Sequence, residues 1–181
     1  MNTATQNLEN DHIYILRLCD VILKMVEKES TETDHFELVV QLIKNFADGL
    51  HHAKEEDLLF PLLGDKGFSK EQGPVAVMLH EHVQGRNFVH GVTEGIQAFK
   101  SGNSDSIQVI YENLSGYAHL LQAHIDKENN ILFRMADDVL NDDEQKYLLS
   151  KFSTIEENAK PEFNLTNSIQ NINKLAAIYL A

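Results

Sequence analysis

The sequence has few of the features that mark secreted, membrane-bound or nucleic-acid-binding proteins. Its single cysteine, Cys19, cannot form an internal disulfide, which favours a reducing, cytoplasmic setting. Only 15 Lys and Arg stand against 28 Asp and Glu, and the net charge of -13 repels nucleic-acid phosphates and anionic lipid headgroups. No apolar run approaches the roughly 18 residues of a membrane span, and the polar segment 1–9 is unlike a signal peptide. We therefore expect neither a nucleic-acid partner nor a membrane.

Prolines and strand signals are also scarce. The three prolines, Pro61, Pro74 and Pro161, each stand beside a helix start or stop, and no alternating apolar pattern flanks a hairpin turn. With 181 residues, of which 43% are hydrophobic, the chain is long enough for one domain with a substantial core. These observations predict an all-α protein.

Periodicity and capping signals predict six helices. Four long ones run at about residues 8–29, 34–60, 74–101 and 104–140. Because short connections between long helices favour antiparallel neighbours, we expect an up-down-up-down four-helix bundle over about residues 8–140. The C-terminal extension, at about 141–181, is expected to form two additional helices, at about 141–157 and 165–180, that pack on the bundle, so that residues 1–181 form a single domain.

One local repeat has a spacing suited to metal binding. His51 and Glu55 stand four residues apart in a segment that ends in Leu-Leu-Phe, and His124 and Glu128 do so in a segment that ends in Ile-Leu-Phe. On a helix this spacing places the imidazole and the carboxylate on one face in neighbouring turns. Each segment therefore offers a pair of ligands.

Helical phase indicates which histidines and glutamates face the bundle interior. At about 100° per residue, His80 lies about 160° from His82, and His52 and His119 share the phase of polar positions. Tyr117 shares the inward phase but lies seven residues, or about 10 Å, from His124, too far for a ligand. The inward positions, which continue apolar stripes, are His12, His51, Glu55, His82, His124 and Glu128, joined on the fourth helix by Ile131 and Met135.

The six inward histidines and glutamates also share one end of the predicted bundle. With a rise of about 1.5 Å per residue they lie within about 25 Å of that end, whereas His35 belongs to the other. Two buried carboxylates would cost several kcal/mol without a compensating charge, which a cation supplies. Imidazole and carboxylate ligands without thiolate suit iron or manganese, and zinc can occupy the same site. We therefore expect two bound metal ions, since helical bundles can hold carboxylate-bridged dimetal centres.

These segments together resemble the hemerythrin-like, HHE cation-binding domain over about residues 8–138. The likeness lies in His51 and Glu55 with the Leu-Phe-Pro after them, in the Met-Leu-His-Glu-His stretch that ends at His82, and in the segment 124–133. The resemblance implies a non-haem di-iron centre, two iron ions bridged by the two glutamates and an oxygen species. The residues that match the family's ligand positions are His12, His51, Glu55, His82, His124 and Glu128.

The sequence departs from oxygen-carrying hemerythrins on the third and fourth helices. Those proteins have two histidines four residues apart on the third helix, whereas Met78 and Arg86 stand at that distance from His82 here. They also have an aspartate five residues after the fourth-helix histidine, whereas Glu128 stands four after His124. Bacterial hemerythrin-like proteins are the closer match. The missing histidine predicts a coordination position for water or another ligand, and an open position favours reaction over storage.

All the functions that these features favour depend on the metal pair. We expect a di-iron protein that binds, senses or reacts with O2, peroxide or NO. The same centre suits a peroxidase, a catalase-like enzyme or a ferroxidase, in which Arg86 either steers an anionic peroxide or makes a structural salt bridge. Iron-sulfur cluster repair is a further alternative, against which the lack of an additional N-terminal cysteine domain argues. The last alternative function is a partner-binding sensor, in which metal loading orders the bundle or its terminal helices.

Overall fold

The apolar stripes of the sequence form the four long helices of an up-down-up-down bundle. The computed structural model describes residues 3–181, and no strand occurs in that range. The first bundle helix is α1 (Ala4–Glu27) and the third is α4 (Pro74–Lys100). Thr3 caps α1 by accepting a hydrogen bond from the backbone N–H of Gln6, and Pro74 opens α4 where a backbone N–H is not needed. The predicted all-α bundle is confirmed.

The second and fourth bundle helices contain π-helical segments, in which backbone hydrogen bonds reach back five residues instead of four. The second bundle helix (residues 33–65) consists of α2 (Thr33–Leu42), π-helical segments at Ile43–His52 and Glu55–Leu59, and α3 (Phe60–Asp65). The fourth (residues 106–139) consists of α5 (Ser106–Lys127), a π-helical segment at Glu128–Leu132 and α6 (Phe133–Val139). Of the two His-Glu pairs, His51, Glu55 and Glu128 lie in the π-helical segments and His124 lies at the end of α5.

The π-helical turn in the fourth bundle helix changes which side chains face the core after Glu128. Ile131 and Met135 were expected to continue the apolar stripe, but they are 51% and 38% exposed. Leu132 and Phe133 are buried in their place. The expectation for Ile131 and Met135 is wrong because it assumed about 100° per residue, and a wider turn shifts the phase of every residue C-terminal to it.

The second bundle helix also continues beyond its predicted end at Phe60. It passes through Pro61 and ends at Asp65. The backbone N–H of Phe60 donates to the carbonyl of Glu55, five residues back. A proline inside a regular α-helix would collide with the preceding turn, and the wider π-helical turn before Pro61 accommodates its ring.

Helices α4 and α5 pack closely because glycine lies at their interface. An added Cβ at Gly95 would lie 2.8 Å from Cγ1 of Ile110, and one at Gly116 would overlap the ring of Phe88. Side chains larger than glycine at these positions would push the two helices apart. Their separation determines how near the histidines of the two helices can approach one another.

Two helices, α7 (Asp142–Glu157) and α8 (Leu165–Tyr179), extend the chain beyond the bundle. Asn141 and Glu144 form a capping box at the start of α7. Phe152 of α7 packs in an apolar cluster with α3 and α6, and Leu175 of α8 packs in the cluster that fills the rest of the bundle. Both extra helices thus bury apolar surface against the bundle. None of the helices within residues 3–181 is at once long and apolar enough to cross a bilayer.

The buried histidines and glutamates lie between these two apolar clusters. Along α1, Leu8 belongs to one cluster and Ile15 to the other, with His12 between them. Along α4, Met78 and Val89 flank His82 in the same way. The bundle core therefore contains one polar layer enclosed by apolar side chains at both ends.

Candidate metal centre

Seven buried side chains form the polar layer. Five are histidines, which fall into two halves, and two are glutamates, which lie between the halves. The first half has two histidines and the second has three, and the donor atoms of each group lie within 4.8 Å of one another. The structure brings all six sequence-predicted ligands into this layer, whereas His80 and His119 are exposed. The first half contains His12 and His51, the second contains His52, His82 and His124, and Glu55 and Glu128 lie between them.

Glu55 lies between the two halves and is completely buried. Its Oε1 lies 3.6 Å from Nε2 of His51 in the first half. Its Oε2 lies 3.5 Å from Nε2 of His82 in the second half. One carboxylate therefore turns a different oxygen toward each half.

Glu128 repeats this arrangement from the fourth bundle helix. It is also completely buried, with Oε1 3.2 Å from Nε2 of His124 in the second half. Its Oε2 lies 3.3 Å from Nε2 of His12 in the first half. Two carboxylates, each with one oxygen toward each half, have the geometry of ligands that bridge two cations.

The central donor atoms lack partners of the usual kind. No residue from 3 to 181 donates a hydrogen bond to any of the four oxygens of Glu55 and Glu128. The Nε2 atoms of His12 and His51 are 2.9 Å apart, and those of His82 and His124 are 3.1 Å apart. A pair of neutral imidazoles at that distance shares at most one proton, so lone pairs crowd the centre. A cation in each half would satisfy these buried groups, and the nitrogen and oxygen donors fit such ions.

Each histidine of the centre has its other ring nitrogen next to an acceptor. Carboxylate and amide oxygens accept, so Nδ1 carries a proton and Nε2 is the ring nitrogen that faces the centre, as in metal-binding histidines. The acceptors are Asn129 for His12 (2.7 Å), Asp48 for His52 (3.1 Å), Glu56 for His82 (2.7 Å) and Glu81 for His124 (2.9 Å), while Asp11 lies 3.5 Å from Nδ1 of His51.

Cations in turn pair with these outer carboxylates. The Nη2 atom of Arg86 lies 2.7 Å from Asp48 and 2.6 Å from Glu56, and Lys127 pairs with Glu81. Of the two roles considered for Arg86, the structure shows the structural salt bridge. Burial acts to raise the pKa of Glu56, but His82 and Arg86 lower it to about 2, so this carboxylate stays ionised.

A fully buried lysine supports the first half. Lys54 is 1% exposed, and its Nζ donates to Asp11 at 2.8 Å, to Asn7 at 3.0 Å and to Glu156 of α7 at 2.6 Å. Asp11 is the residue beside His51, so the C-terminal extension is linked to the centre through two side chains. Lys54 and its partners were not predicted from the sequence because they come from three separate helices.

His52 is the residue that regular helical phase misplaces. A phase of 100° per residue predicts the polar face for His52, but it is 6% exposed and its ring stacks on His82 with centroids 3.8 Å apart. The π-helical segment Ile43–His52 widens the turn, so that adjacent His51 and His52 both face the interior. No described residue bonds to Nε2 of His52, which is a third imidazole in the second half. The sequence signal that could have identified His52 is Asp48, four residues earlier, which contacts its Nδ1.

Comparison with known proteins agrees with this geometry. The family model described as the hemerythrin HHE cation binding domain matches residues 3–136. The chain belongs to the hemerythrin family. It therefore contains a hemerythrin-like metal-binding domain, and its buried histidine and glutamate groups are the candidates to hold the metal ion that the family implies.

Similar curated proteins share part of this hemerythrin-like chain. Proteins named iron-sulfur cluster repair protein YtfE, from Pectobacterium carotovorum and Pectobacterium atrosepticum, are 34% identical to it over 89 residues. One of the same name from Edwardsiella ictaluri is 30% identical over 89 residues. Each match covers 48% of this chain and 40% of the relative, so the chain matches less than half the length of these relatives. No solved structure matches the chain.

The two glutamates of the hemerythrin-like centre have opposite pKa shifts in the metal-free chain. Burial, and then the charge of Glu128, raise the pKa of Glu55 well above its usual value. Burial also acts to raise the pKa of Glu128, but the imidazoles of His124 and His12 hold it well below that range. Burial acts to lower the pKa of His124, yet Glu128 raises it to about 9. A cation would replace the protons of Glu55 and His124.

His51 and His52 are neutral ligands in waiting, because their pKa values are lowered. Burial, and then His12, lower the pKa of His51 to about 4. Burial, and then His82, lower the pKa of His52 to about 3. Neutral imidazole is the form that binds a cation, so both rings can coordinate near neutral pH without losing a proton first.

Proposed function

We propose that this hemerythrin-like domain holds two iron ions, one in each half, and binds, senses or reacts with O2, peroxide or NO in the cytoplasm. The observation that carries the proposal is the pair of fully buried glutamates, each with one oxygen toward each half. A bound iron pair would supply redox and Lewis-acid chemistry.

The chain's own residues prepare the centre for such chemistry. Glu55 and Glu128 would hold the two ions a fixed distance apart, and the outer carboxylates orient the imidazoles. The apolar clusters on both sides shield the layer from bulk water along the bundle axis. Cys19 is buried and free, which is consistent with a chain that needs no oxidising compartment.

Anaerobic loading with ferrous iron, and then exposure to air, tests the proposal. We expect about two iron ions per chain and a near-ultraviolet absorption band that appears on exposure to air. His124→Ala should lose the band, whereas His119→Ala, which alters an exposed histidine on the same helix, should keep it. Fewer than about one bound iron per chain in a protein with native helical content would refute the di-iron proposal.

The relatives named iron-sulfur cluster repair proteins favour a second candidate function, repair of damaged iron-sulfur clusters. The test is whether the iron-loaded chain restores activity to a [4Fe-4S] dehydratase inactivated by NO or peroxide, with His124→Ala as the metal-site control. Restored activity with the wild type alone would support repair. Iron loading and a reaction with NO, without restored activity, would exclude repair and leave the first proposal standing.

A further inference from the structure

A cavity of about 390 Å³ adjoins the second half of the centre. It lies between the second bundle helix, α4 and α5, and its wall includes His52, His82 and His124. A water molecule occupies about 30 Å³ of liquid, so this space is many times larger than a diatomic ligand needs. The volume falls in the range of about 300–1,000 Å³ typical of sites for small organic molecules.

The inner wall of the cavity is mainly apolar. Ile43, Val89 and Leu121 line it and are buried. Gly85 widens it, since a Cβ there would lie 3.6 Å from the ring of Tyr117. Among the charged and polar side chains of the lining, Lys44, Arg86, His90 and Glu94 are exposed at the mouth. The part-buried carboxylates Asp48 and Glu81 are paired with Arg86 and Lys127. Because these charges lie at the solvent side or are paired with a cation, the interior suits an uncharged ligand.

Tyr117, another residue of the cavity lining, has a hydroxyl group without a partner. Tyr117 is 3% exposed, and its Oη makes no hydrogen bond to any residue from Thr3 to Ala181. Burial raises the pKa of Tyr117 well above its usual value, so the hydroxyl keeps its proton and acts as a donor. A buried donor without an acceptor is unfavourable, and a ligand that carries an acceptor would relieve this.

We propose that the cavity binds a small, uncharged, mainly apolar organic molecule that accepts a hydrogen bond from Tyr117 and lies beside His52, His82 and His124. A molecule of about ten non-hydrogen atoms matches the volume. This inference goes beyond the proposed iron chemistry, because the cavity and the hydroxyl belong to the chain whether or not metal is bound.

Two compounds of equal size test the proposal. Acetophenone has an apolar ring and a carbonyl acceptor, and α-methylstyrene replaces the carbonyl oxygen with a methylene group. Binding is measured by methyl NMR shifts of Ile43 and Leu121 in the full chain, both metal-free and zinc-loaded. We expect both compounds to shift these methyl groups. Tyr117→Phe should weaken acetophenone about fivefold, equivalent to about 1 kcal/mol, and leave α-methylstyrene unchanged.

A variant that fills the cavity provides a second readout. Val89→Phe should abolish binding of both compounds, whereas Val77→Phe, at a 44% exposed position on the same helix, should retain it. Shifts confined to surface methyl groups, full binding by Val89→Phe, or equal weakening of both compounds by Tyr117→Phe would overturn the proposal. Binding by the metal-free chain would support it even if the iron proposal failed.

Discussion

The buried lysine predicts how strongly the outer residues support the centre. Lys54→Met keeps most of the apolar stem but removes the ammonium group that donates to Asp11, Asn7 and Glu156. Asp11 would then stay ionised in the interior without its cation. Breaking a buried ion pair by removing one partner costs about 3–5 kcal/mol. Glu156 is 27% exposed and keeps part of its hydration, so we expect the lower end of this range, about 3 kcal/mol.

Urea unfolding of the metal-free chain, monitored by circular dichroism, measures this loss. A loss of about 3 kcal/mol is a large share of the roughly 5–15 kcal/mol typical of a folded domain. The control is Lys24→Met, which removes an exposed partner of Glu27 and should change the unfolding free energy by less than about 1 kcal/mol. Equal losses of unfolding free energy in the two variants would show that the buried Lys54 ion pairs stabilise the fold no more than an exposed pair does.

A second substitution identifies the physical cause. Adding Asp11→Asn to Lys54→Met removes the stranded buried charge, so the double variant should recover at least about 1 kcal/mol. The contrary result is additivity, in which Asp11→Asn lowers the unfolding free energy by the same amount in the Lys54→Met variant as in the wild type. The loss in Lys54→Met would then come from packing of the lysine stem, and the electrostatic reasoning would be refuted.

Three further predictions concern the centre and the bundle. His52→Phe keeps a buried ring but removes a metal-donor nitrogen, so metal analysis after gel filtration should show that one ion binds at least about tenfold more weakly. His119→Phe should leave metal binding unchanged. The raised pKa of Glu55 means that the contribution of this residue to the stability of the metal-free chain falls as pH rises from about 4 toward neutrality, since its folded state holds a proton longer than the unfolded chain. Glu55→Gln should therefore raise the metal-free melting temperature at pH 7 and reduce the gain on metal loading; a lower metal-free value would contradict this. Gly95→Ala should lower the unfolding free energy by about 1–3 kcal/mol, whereas Gly64→Ala, in open space, should raise it by about 0.5–1 kcal/mol; the same sign for both would refute the packing argument.

The helices themselves were largely predictable because their signals are local. The apolar stripe of α1, the Gly73-Pro74 start of α4 and the capping box of α7 depend on residues within a few positions of one another. The His-x-x-x-Glu pairs were visible for the same reason. Their convergence at one level of the bundle could be inferred from helix direction and length.

The errors lie where hydrogen bonding departs from the regular α-helix. The π-helical segment Ile43–His52 turns His52 inward, and that at Glu128–Leu132 turns Ile131 outward. Nothing in the local pattern predicts which turn will widen, because the choice depends on what the whole bundle gains by aligning donors on facing helices.

The sequence by itself determined the all-α class, the bundle topology and six side chains of the polar layer, because apolar periodicity and i,i+4 spacing are properties of a single helix. Only the tertiary structure decided that His52 joins the centre, that Glu56 and Glu81 orient imidazoles on other helices, and that Lys54 is buried against α7. Contacts between helices depend on their packing distance and rotation, which no single segment encodes.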